Sequence, residues 1–331
     1  MYYRSKAGLV RAVDDVSLSL DYGETLGLVG ESGCGKSSLA FTIIRVLPTN
    51  SEIVGGHIFY EGKDLLELSE NEMRRIRWAE ISMIFQSAMN ALNPVLRVGD
   101  MALEALRTHE RLSRNEAKVR VERLFEEMDL EKSRMKNYPH EFSGGMRQRA
   151  VIATSLVCNP KIVIADEPTT ALDVVVQEQI LQIIKKLQKK MGITMLLISH
   201  DVSIIAETCE RVAVMYAGKI VESGRTVDLF GDPRHPYTVA LMQSFPSIHG
   251  KIKKLIPIPG KPPSLITPPP GCRFSPRCWL SKKGCEREQC EIIKIGKDHY
   301  TTCPITVDHD FKDLFYGVEP KLGKRNTNRN H

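Results

Sequence analysis

The stretch GESGCGKSS at residues 30–38 constrains the fold of this 331-residue chain more than any other segment. It matches the phosphate-binding pattern G-x-x-x-x-G-K-[ST], and it lies between an apolar strand-like run, ETLGLVG, and a helix-like run, KSSLAFTIIRVL. Gly30, Gly33 and Gly35 allow the backbone to bend so that successive amide groups face a phosphate. The N-terminus of the following helix adds partial positive charge. The pattern therefore predicts an α/β domain that binds a nucleotide.

The side chains of this loop suit the same ligand. Lys36 is placed to reach the β- and γ-phosphates, and the Ser37 hydroxyl is placed to bind Mg²⁺. Chance matches to the bare pattern are common, but the flanking strand and helix argue against chance here. The loop residues predicted to bind the nucleotide or its magnesium ion are Gly30, Ser32, Gly33, Cys34, Gly35, Lys36, Ser37 and Ser38.

Two adjacent carboxylates follow a second apolar run, KIVIADEP at 161–168. Neighbouring side chains of a strand point to opposite faces, so Asp166 and Glu167 are expected to have different roles. One suits Mg²⁺ binding through water, and the other suits polarisation of an attacking water molecule. An acidic pair at a strand end is often a simple turn, but the phosphate-binding loop upstream favours the catalytic interpretation.

The remaining pattern predicts an α/β core with a largely parallel sheet. Further apolar runs lie at 81–86, 193–201 and 211–224, with helical segments between several of them. The segment between the apolar runs at 81–86 and 161–168 instead carries apolar residues at helical spacing. The predicted organisation is an ATP-binding core at 1–98 and 159–232, an inserted helical subdomain at 99–158, and a C-terminal extension at 233–331 with a proline-rich connector and a cysteine cluster.

With these motifs in place, residues 1 to about 235 resemble the ATP-binding subunits of ABC transporters. The stretch FSGGMRQR at 142–149 is similar to that family's signature sequence, from which Phe142 and Met146 depart. The resemblance implies an ABC-type P-loop fold, with a mixed sheet that includes an antiparallel part. It also implies that two subunits share each nucleotide, with the signature residues Ser143, Gly144, Gly145 and Met146 of one subunit acting on the ATP of the other.

The resemblance implies further site residues. Glu167 corresponds to the general base, Gln86 to the glutamine that senses Mg²⁺ and the attacking water, and His200 to the switch histidine. Asp173 lies in the loop that crosses between subunits, and Tyr3, rather than Tyr2, is the candidate for stacking on adenine. The implied magnesium ligands are Ser37, Gln86 and Asp166.

Several stretches, including SMIFQSAMNALNPVLRVGD and GDPRHPYTVALMQSFP, are similar to the oligopeptide/dipeptide importer branch. That resemblance implies peptide import driven by ATP-dependent dimer closure, with two integral membrane permease subunits, a second identical or homologous ATPase subunit and an external substrate-binding protein. Import of nickel or oligosaccharides by the same machinery is an alternative. A non-transport ABC ATPase is another, but the CxxC zinc modules or second core of those classes are absent, and no nucleic-acid partner is predicted.

Charge and hydropathy agree with a peripheral subunit. The net charge is a mild +6, and no apolar run is long enough to cross a bilayer. The first residues lack the apolar segment of a secretory signal. We therefore expect the chain at the cytoplasmic face of the membrane, where thiols stay reduced and disulfides are disfavoured.

Four cysteines in GCRFSPRCWLSKKGCEREQC and a fifth at Cys303 lie near the C-terminus. Their spacing differs from the CxxC pairs of zinc ribbons and from the ferredoxin pattern. The resemblance implies a [4Fe-4S] cluster on Cys272, Cys278, Cys285 and Cys303, and zinc or free or partly oxidised thiols are the alternatives. Cys290 falls outside the resemblance. The expected role is structural or regulatory, and ATP hydrolysis is not expected to require it.

Overall fold

The computed structural model describes residues 1–86, 92–244, 258–288 and 290–307. The strands of these residues are β1 (Tyr2–Ser5), β2 (Gly8–Val10), β3 (Thr25–Val29), β4 (Ser51–Glu52), β5 (Phe59–Tyr60), β6 (Lys63–Asp64), β7 (Ile81–Ile84), β8 (Ile162–Asp166), β9 (Thr194–Ser199), β10 (Arg211–Tyr216), β11 (Lys219–Arg225), β12 (Ile293–Lys294) and β13 (Tyr300–Thr301). The α-helices are α1 (Lys36–Ile43), α2 (Glu70–Ile76), α3 (Val98–His109), α4 (Arg114–Glu127), α5 (Gly144–Leu156), α6 (Val174–Met191), α7 (Val202–Thr208), α8 (Thr226–Gly231) and α9 (Pro236–Gln243).

A mixed sheet forms the centre, in the order β12-β13-β11-β10-β3-β9-β8-β7. The pairs β10-β3, β3-β9, β9-β8 and β8-β7 are parallel. The pairs β10-β11, β11-β13 and β13-β12 are antiparallel and extend the sheet on the other side of β10. Every residue of β3 and β9 is buried, as expected for parallel strands that are covered on both faces. A separate antiparallel sheet has the order β2-β1-β4. The predicted mixed α/β fold is confirmed.

The apolar run at 211–224 is not one strand but a hairpin of β10 and β11. Tyr216 pairs with Lys219, and the two residues between them, Ala217 and Gly218, have φ values of +47° and +88°. Two consecutive residues with positive φ are typical of the two-residue hairpin turn that matches the twist of the flanking strands. Gly218 was therefore the available turn signal within the run.

Helices α3, α4 and α5 lie between β7 and β8 in the chain and pack on one another. Helix α4 begins with a capping box, in which Ser113 accepts from the Glu116 amide and Glu116 accepts from the Ser113 amide. Its apolar face is buried at Val121, Leu124 and Phe125. These three residues have the three- and four-residue spacings expected for an amphipathic helix.

The C-terminal extension does not stand apart from the core as a separate appendix. Its strand β13 pairs with β11 and so continues the central sheet. Buried His299 lies 2.7 Å from buried Glu222 of β11, through Nε2 and Oε1. Buried Arg273 pairs with Asp14 and donates to the carbonyl of Ala217. The edge of the sheet and these buried polar contacts attach the extension to the nucleotide-binding core.

The described helices include none with both the length and the apolar character needed to cross a membrane.

Candidate functional site

The phosphate-binding loop joins β3 to α1, and two of its glycines are required by close backbone approaches. Gly35 has a φ of +111°, and a β-carbon on it would lie 2.0 Å from the Ala12 carbonyl oxygen. A β-carbon on Gly30 would lie 2.1 Å from the Met215 carbonyl oxygen. No side chain fits at either position without moving the backbone. The loop is therefore held close to two other segments.

Lys36 is buried at the first position of α1. Its Nζ donates to the Gly30 carbonyl at 2.7 Å and to the Glu31 carbonyl at 3.2 Å. The ammonium group thus lies against the loop that precedes it. To bind a nucleotide in the predicted way, Lys36 would exchange these carbonyl contacts for phosphate oxygens.

Asp166 ends β8 in a buried position that suits a magnesium site. The residue is 1% exposed, and its Oδ1 has no hydrogen-bond partner within the described part of the chain. Burial raises the pKa of Asp166, the charge of Glu167 raises it further, and a hydrogen bond from Ser37 and the charge of Lys36 oppose these effects. An unpaired carboxylate oxygen next to the Ser37 hydroxyl provides the hard oxygen donors that Mg²⁺ prefers.

The carboxylate of Glu167 is held by three side chains. Gln86 Nε2 donates to Oε2 at 2.8 Å, Thr170 Oγ1 donates to the same oxygen at 2.9 Å, and His200 Nδ1 lies 3.1 Å from Oε1. Glu167 also has a φ of +47°, a conformation that is costly for residues other than glycine and that clusters at functional sites. The structure therefore brings Gln86, Glu167 and His200 together.

Asp166 and Glu167 do have different surroundings, but not because they alternate along a strand. Strand β8 ends at Asp166, and Glu167 has already turned into the left-handed region. This turn directs Asp166 toward Ser37 and places Glu167 against Gln86 and His200.

Tyr3 lies on β1 beside the phosphate-binding loop. Its hydroxyl is 3.0 Å from Ser38 Oγ on α1. Tyr2 instead donates to Asp14 Oδ1 at 2.6 Å.

Cys34 is a buried residue of the phosphate-binding loop, and burial raises the pKa of its thiol. Its amide donates to the Glu31 carbonyl at 3.2 Å within the loop. Ser32 and Gly33 are exposed.

The signature residues begin α5 and pack against the start of α6. Ser143 caps α5, with its Oγ accepting from the Met146 amide at 3.3 Å. A β-carbon on Gly145 would lie 2.7 Å from a methyl group of Val176. Asp173 caps α6 by accepting from the Val176 amide at 3.0 Å. Gly144 shares this contact region, because its β-carbon would lie 3.7 Å from Leu172. Ser143 and Asp173 therefore have capping roles within one chain.

A cavity of about 420 Å³ in the C-terminal extension is lined by five cysteines, namely Cys272, Cys278, Cys285, Cys290 and Cys303. Burial raises the pKa of Cys278 to about 12, and a hydrogen bond with Cys272 lowers the pKa of Cys290. Buried His235 also lines the cavity, and its Nε2 has no hydrogen-bond partner among the described residues. The expected iron–sulfur or zinc site is not supported by the side-chain arrangement: the described segments contain no group of three or more His, Cys, Asp or Glu residues able to hold a metal ion.

Two site contacts were missed by the sequence interpretation. The Thr170 hydroxyl donates to the Glu167 carboxylate, and the only sequence feature that could have indicated this contact is a hydroxyl residue three positions after Glu167. Arg277 of the C-terminal extension pairs with Glu31 of the phosphate-binding loop. No sequence pattern links these residues, which lie 246 positions apart.

Comparison with known proteins identifies the family. Residues 13–170 match the family model for ABC transporters, and residues 221–285 match the model for the C-terminal region of oligopeptide/dipeptide transporters. The chain is 48% identical over 288 residues to the dipeptide transport ATP-binding protein DppD of Bacillus subtilis (strain 168), with 86% of each chain covered. It belongs to the ABC transporter ATP-binding protein family. This ABC ATPase is also 46% identical over 280 residues to the oligopeptide transport ATP-binding protein OppD of Escherichia coli (strain K12), covering 84% of this chain and 83% of that protein.

Solved structures support the same fold for the ABC ATPase. It matches the ATP-binding cassette MJ0796, a dimeric post-hydrolysis state bound to ADP and Pi, with a TM-score of 0.62 and 28% identity. The match covers 68% of this chain and 95% of that chain. cbiO1 from Clostridium perfringens, part of an ABC transporter complex, matches with a TM-score of 0.60 and 26% identity over 70% of this chain and 88% of that chain. The predicted ABC-type cassette is therefore confirmed, and ATP with Mg²⁺ is its expected substrate pair.

Proposed function

We propose that this subunit hydrolyses ATP to power the import of dipeptides or oligopeptides through an ABC transporter. The observation that carries this proposal is the match at residues 221–285 to the C-terminal region of oligopeptide/dipeptide transporters, together with relatives named for dipeptide and oligopeptide transport. Nickel, oligosaccharides and non-transport roles have no comparable support.

The phosphate-binding loop is proposed to hold the triphosphate. Lys36 would neutralise the β- and γ-phosphates, and amide groups at the start of α1 would donate to their oxygens. Tyr3, which lies beside Ser38 at the end of the loop, would stack on the adenine. The residues proposed to contact nucleotide are Tyr3, Gly30, Ser32, Gly33, Cys34, Gly35, Lys36, Ser37, Ser38 and Asp166.

Magnesium would be held by Ser37, Asp166 and Gln86. The Asp166 Oδ1, which has no hydrogen-bond partner among the residues that the structure describes, and the neighbouring Ser37 hydroxyl fit that ion. When bound, Mg²⁺ supplies charge neutralisation for the β- and γ-phosphates. Gln86 now donates to Glu167, so its amide would have to turn for its oxygen to face the ion.

Glu167 is proposed to be the general base. Its carboxylate would accept a proton from the water that attacks the γ-phosphate, while the fixed contacts from Thr170 and His200 keep it in one orientation. His200 is more than half exposed at its side chain, so it can also face a γ-phosphate. Catalysis in this scheme rests on positioning a water molecule between Glu167 and the phosphate.

A second ATPase subunit, identical or homologous, would complete the site. Ser143, Gly144, Gly145 and Met146 would face the γ-phosphate of the partner's ATP from the N-terminus of α5. Val174 and Val175 follow Asp173 and are 78% and 67% exposed, which supports a subunit interface there. ATP binding would close the pair, and hydrolysis would reopen it.

Two integral membrane permease subunits and an external substrate-binding protein are the proposed further partners, and no nucleic acid is proposed. The helical segment from α3 to α5 would dock on a permease from the cytoplasmic face of the membrane. The subunit should therefore copurify from native membranes with two polytopic proteins, and the associated binding protein should bind di- or oligopeptides in a ligand screen. Copurification with ribosomes or nucleic acid, or a binding protein selective for nickel or sugars, would contradict the proposal.

The cysteine-lined cavity is proposed to hold a [4Fe-4S] cluster on Cys272, Cys278, Cys285 and Cys303. The four thiols line one cavity and are of the residue type that ligates such clusters and also zinc. As placed in the described segments they form no group able to hold a metal ion, so cluster binding would require these side chains to rearrange. Cys290 lines the same cavity and is proposed as a spare thiol.

Anaerobic purification of the full chain tests this cavity. We expect brown protein with bound iron and acid-labile sulfide. Cys278→Ser should lose the iron, because it removes a proposed ligand. Cys158→Ser, a buried thiol outside the cavity, should keep it. Colourless protein with one zinc per chain, or with no metal, would contradict the cluster.

A further inference from the structure

Glu31, the second residue of the phosphate-binding loop, is held at both its side chain and its backbone by the C-terminal extension. The guanidinium of Arg277 makes a two-point contact with its carboxylate, with Nη1 2.6 Å from Oε2 and Nη2 3.0 Å from Oε1. The Glu31 amide donates to the Tyr237 hydroxyl at 2.8 Å. The loop that would hold the phosphates is thus fixed from outside the core as well as from within.

Arg277 is itself rigidly placed. Its side chain is 4% exposed. Its Nε donates to the Pro259 carbonyl at 2.7 Å, and its Nη1 donates to the Tyr216 hydroxyl at 3.2 Å. The guanidinium carbon also lies 5.7 Å from the centre of the Tyr216 ring. A two-point ion pair of low exposure is stronger and more directional than a surface salt bridge.

The negative charge of Glu31 would oppose binding of the proposed ligand, ATP. An unpaired carboxylate in the phosphate-binding loop would repel a triphosphate and would compete for Lys36, whose Nζ already contacts the Glu31 carbonyl. The Arg277 contact neutralises this carboxylate and holds it toward the extension. Pro262, Pro263 and Leu265 of the connector line a narrow gap on the same side of the loop.

We propose that Arg277 and Tyr237 are positioning residues for ATP binding, and that the C-terminal extension thereby completes the phosphate-binding loop. Arg277 acts by neutralising and orienting Glu31, and Tyr237 acts by accepting from the Glu31 amide. Neither residue touches the nucleotide. This inference rests on the proposed binding of ATP at the loop.

Equilibrium binding of ATP to the full chain tests the role of Arg277. Arg277→Met should weaken ATP binding about tenfold or more, because it leaves the Glu31 charge uncompensated beside the phosphates. Adding Glu31→Gln to that variant removes the charge, so the double variant should return to within about threefold of the parent. Thermal unfolding of the same variants shows whether affinity simply follows stability, as it would if the ion pair only stabilised the fold. Tyr237→Phe, which keeps the ring, should weaken binding about threefold.

Arg273→Met is the matched control. Arg273 is a second buried arginine of the extension, but it pairs with Asp14 rather than with the loop. Arg273→Met should change ATP affinity less than about threefold. This should hold even if its thermal unfolding temperature falls by as much as that of Arg277→Met. Equal weakening by the two arginine variants, no rescue by Glu31→Gln, or parent-like binding by Arg277→Met would overturn the proposal. A parent chain that does not bind ATP would instead refute the proposed function.

Discussion

Glu167→Gln is expected to lower the rate of ATP hydrolysis by about 100-fold or more while ATP binding is retained. The amide keeps the size and the hydrogen-bonding oxygen of the side chain, so it can stay near Thr170 and His200. It cannot accept the proton of the attacking water. Because hydrolysis reopens the pair in the proposed mechanism, the variant should accumulate as a closed dimer with ATP trapped inside. Single-turnover hydrolysis and size-exclusion chromatography with ATP measure the two effects.

Glu178→Gln provides the control for that substitution. Glu178 is an exposed residue of α6 whose carboxylate accepts from Gln182, so the same chemical change is made away from the site. It should leave turnover and the dimer equilibrium unchanged. If Glu167→Gln hydrolysed ATP at the parent rate, Glu167 would not be the general base.

Lys36→Met is expected to weaken ATP binding about 30-fold or more. The substitution removes the buried positive charge at the start of α1 and the hydrogen bond from Lys36 to the Gly30 carbonyl, whereas the Glu31 carbonyl keeps the Cys34 amide as a donor. Both changes act on the loop that would hold the phosphates. Hydrolysis should fall with binding, in contrast to Glu167→Gln, so the two variants separate the binding role from the chemical role.

The control for Lys36→Met is Lys185→Met on α6. Lys185 donates to the Glu207 carbonyl on the protein surface, and its loss should not alter ATP affinity. Equilibrium binding and thermal unfolding should be measured for both variants. Parent-like ATP affinity in Lys36→Met would remove Lys36 from phosphate binding.

Local patterns were sufficient to predict the centre of the molecule. The glycine-rich loop, the buried parallel strands and the helical spacing of Val121, Leu124 and Phe125 each depend on neighbouring residues, and each is found in the structure. Gln86, Glu167 and His200 could be predicted to meet, because each follows or ends a strand of one parallel sheet and such ends share an edge.

The C-terminal extension could not be placed from its sequence. The sequence predicted a C-terminal extension after a proline-rich connector, with a cysteine cluster that ATP hydrolysis was not expected to require. Its actual attachment depends on pairings such as Arg277 with Glu31 and β13 with β11, which join residues far apart in the chain. Spacing carries no information on such contacts, since they arise only when the sheet has formed. The Arg277 contact argues against an extension that is independent of the ATP site.

The left-handed conformation of Glu167 is a second feature that the strand pattern concealed. Alternation along β8 predicted opposite faces for Asp166 and Glu167, but the strand ends between them. The backbone turn is held by the Glu167 amide, which donates to the Ile198 carbonyl at 2.9 Å. Neighbouring strand β9 therefore fixes the orientation of the proposed base.

The most direct test of the central claim is the ATPase rate of the complete transporter in proteoliposomes, with and without a peptide-loaded binding protein outside. The account predicts that peptide stimulates hydrolysis, that labelled peptide accumulates inside only with ATP, and that Glu167→Gln abolishes both. An ATPase rate that does not change when peptide-loaded binding protein is added would contradict the account. So would peptide accumulation that persists in the Glu167→Gln transporter.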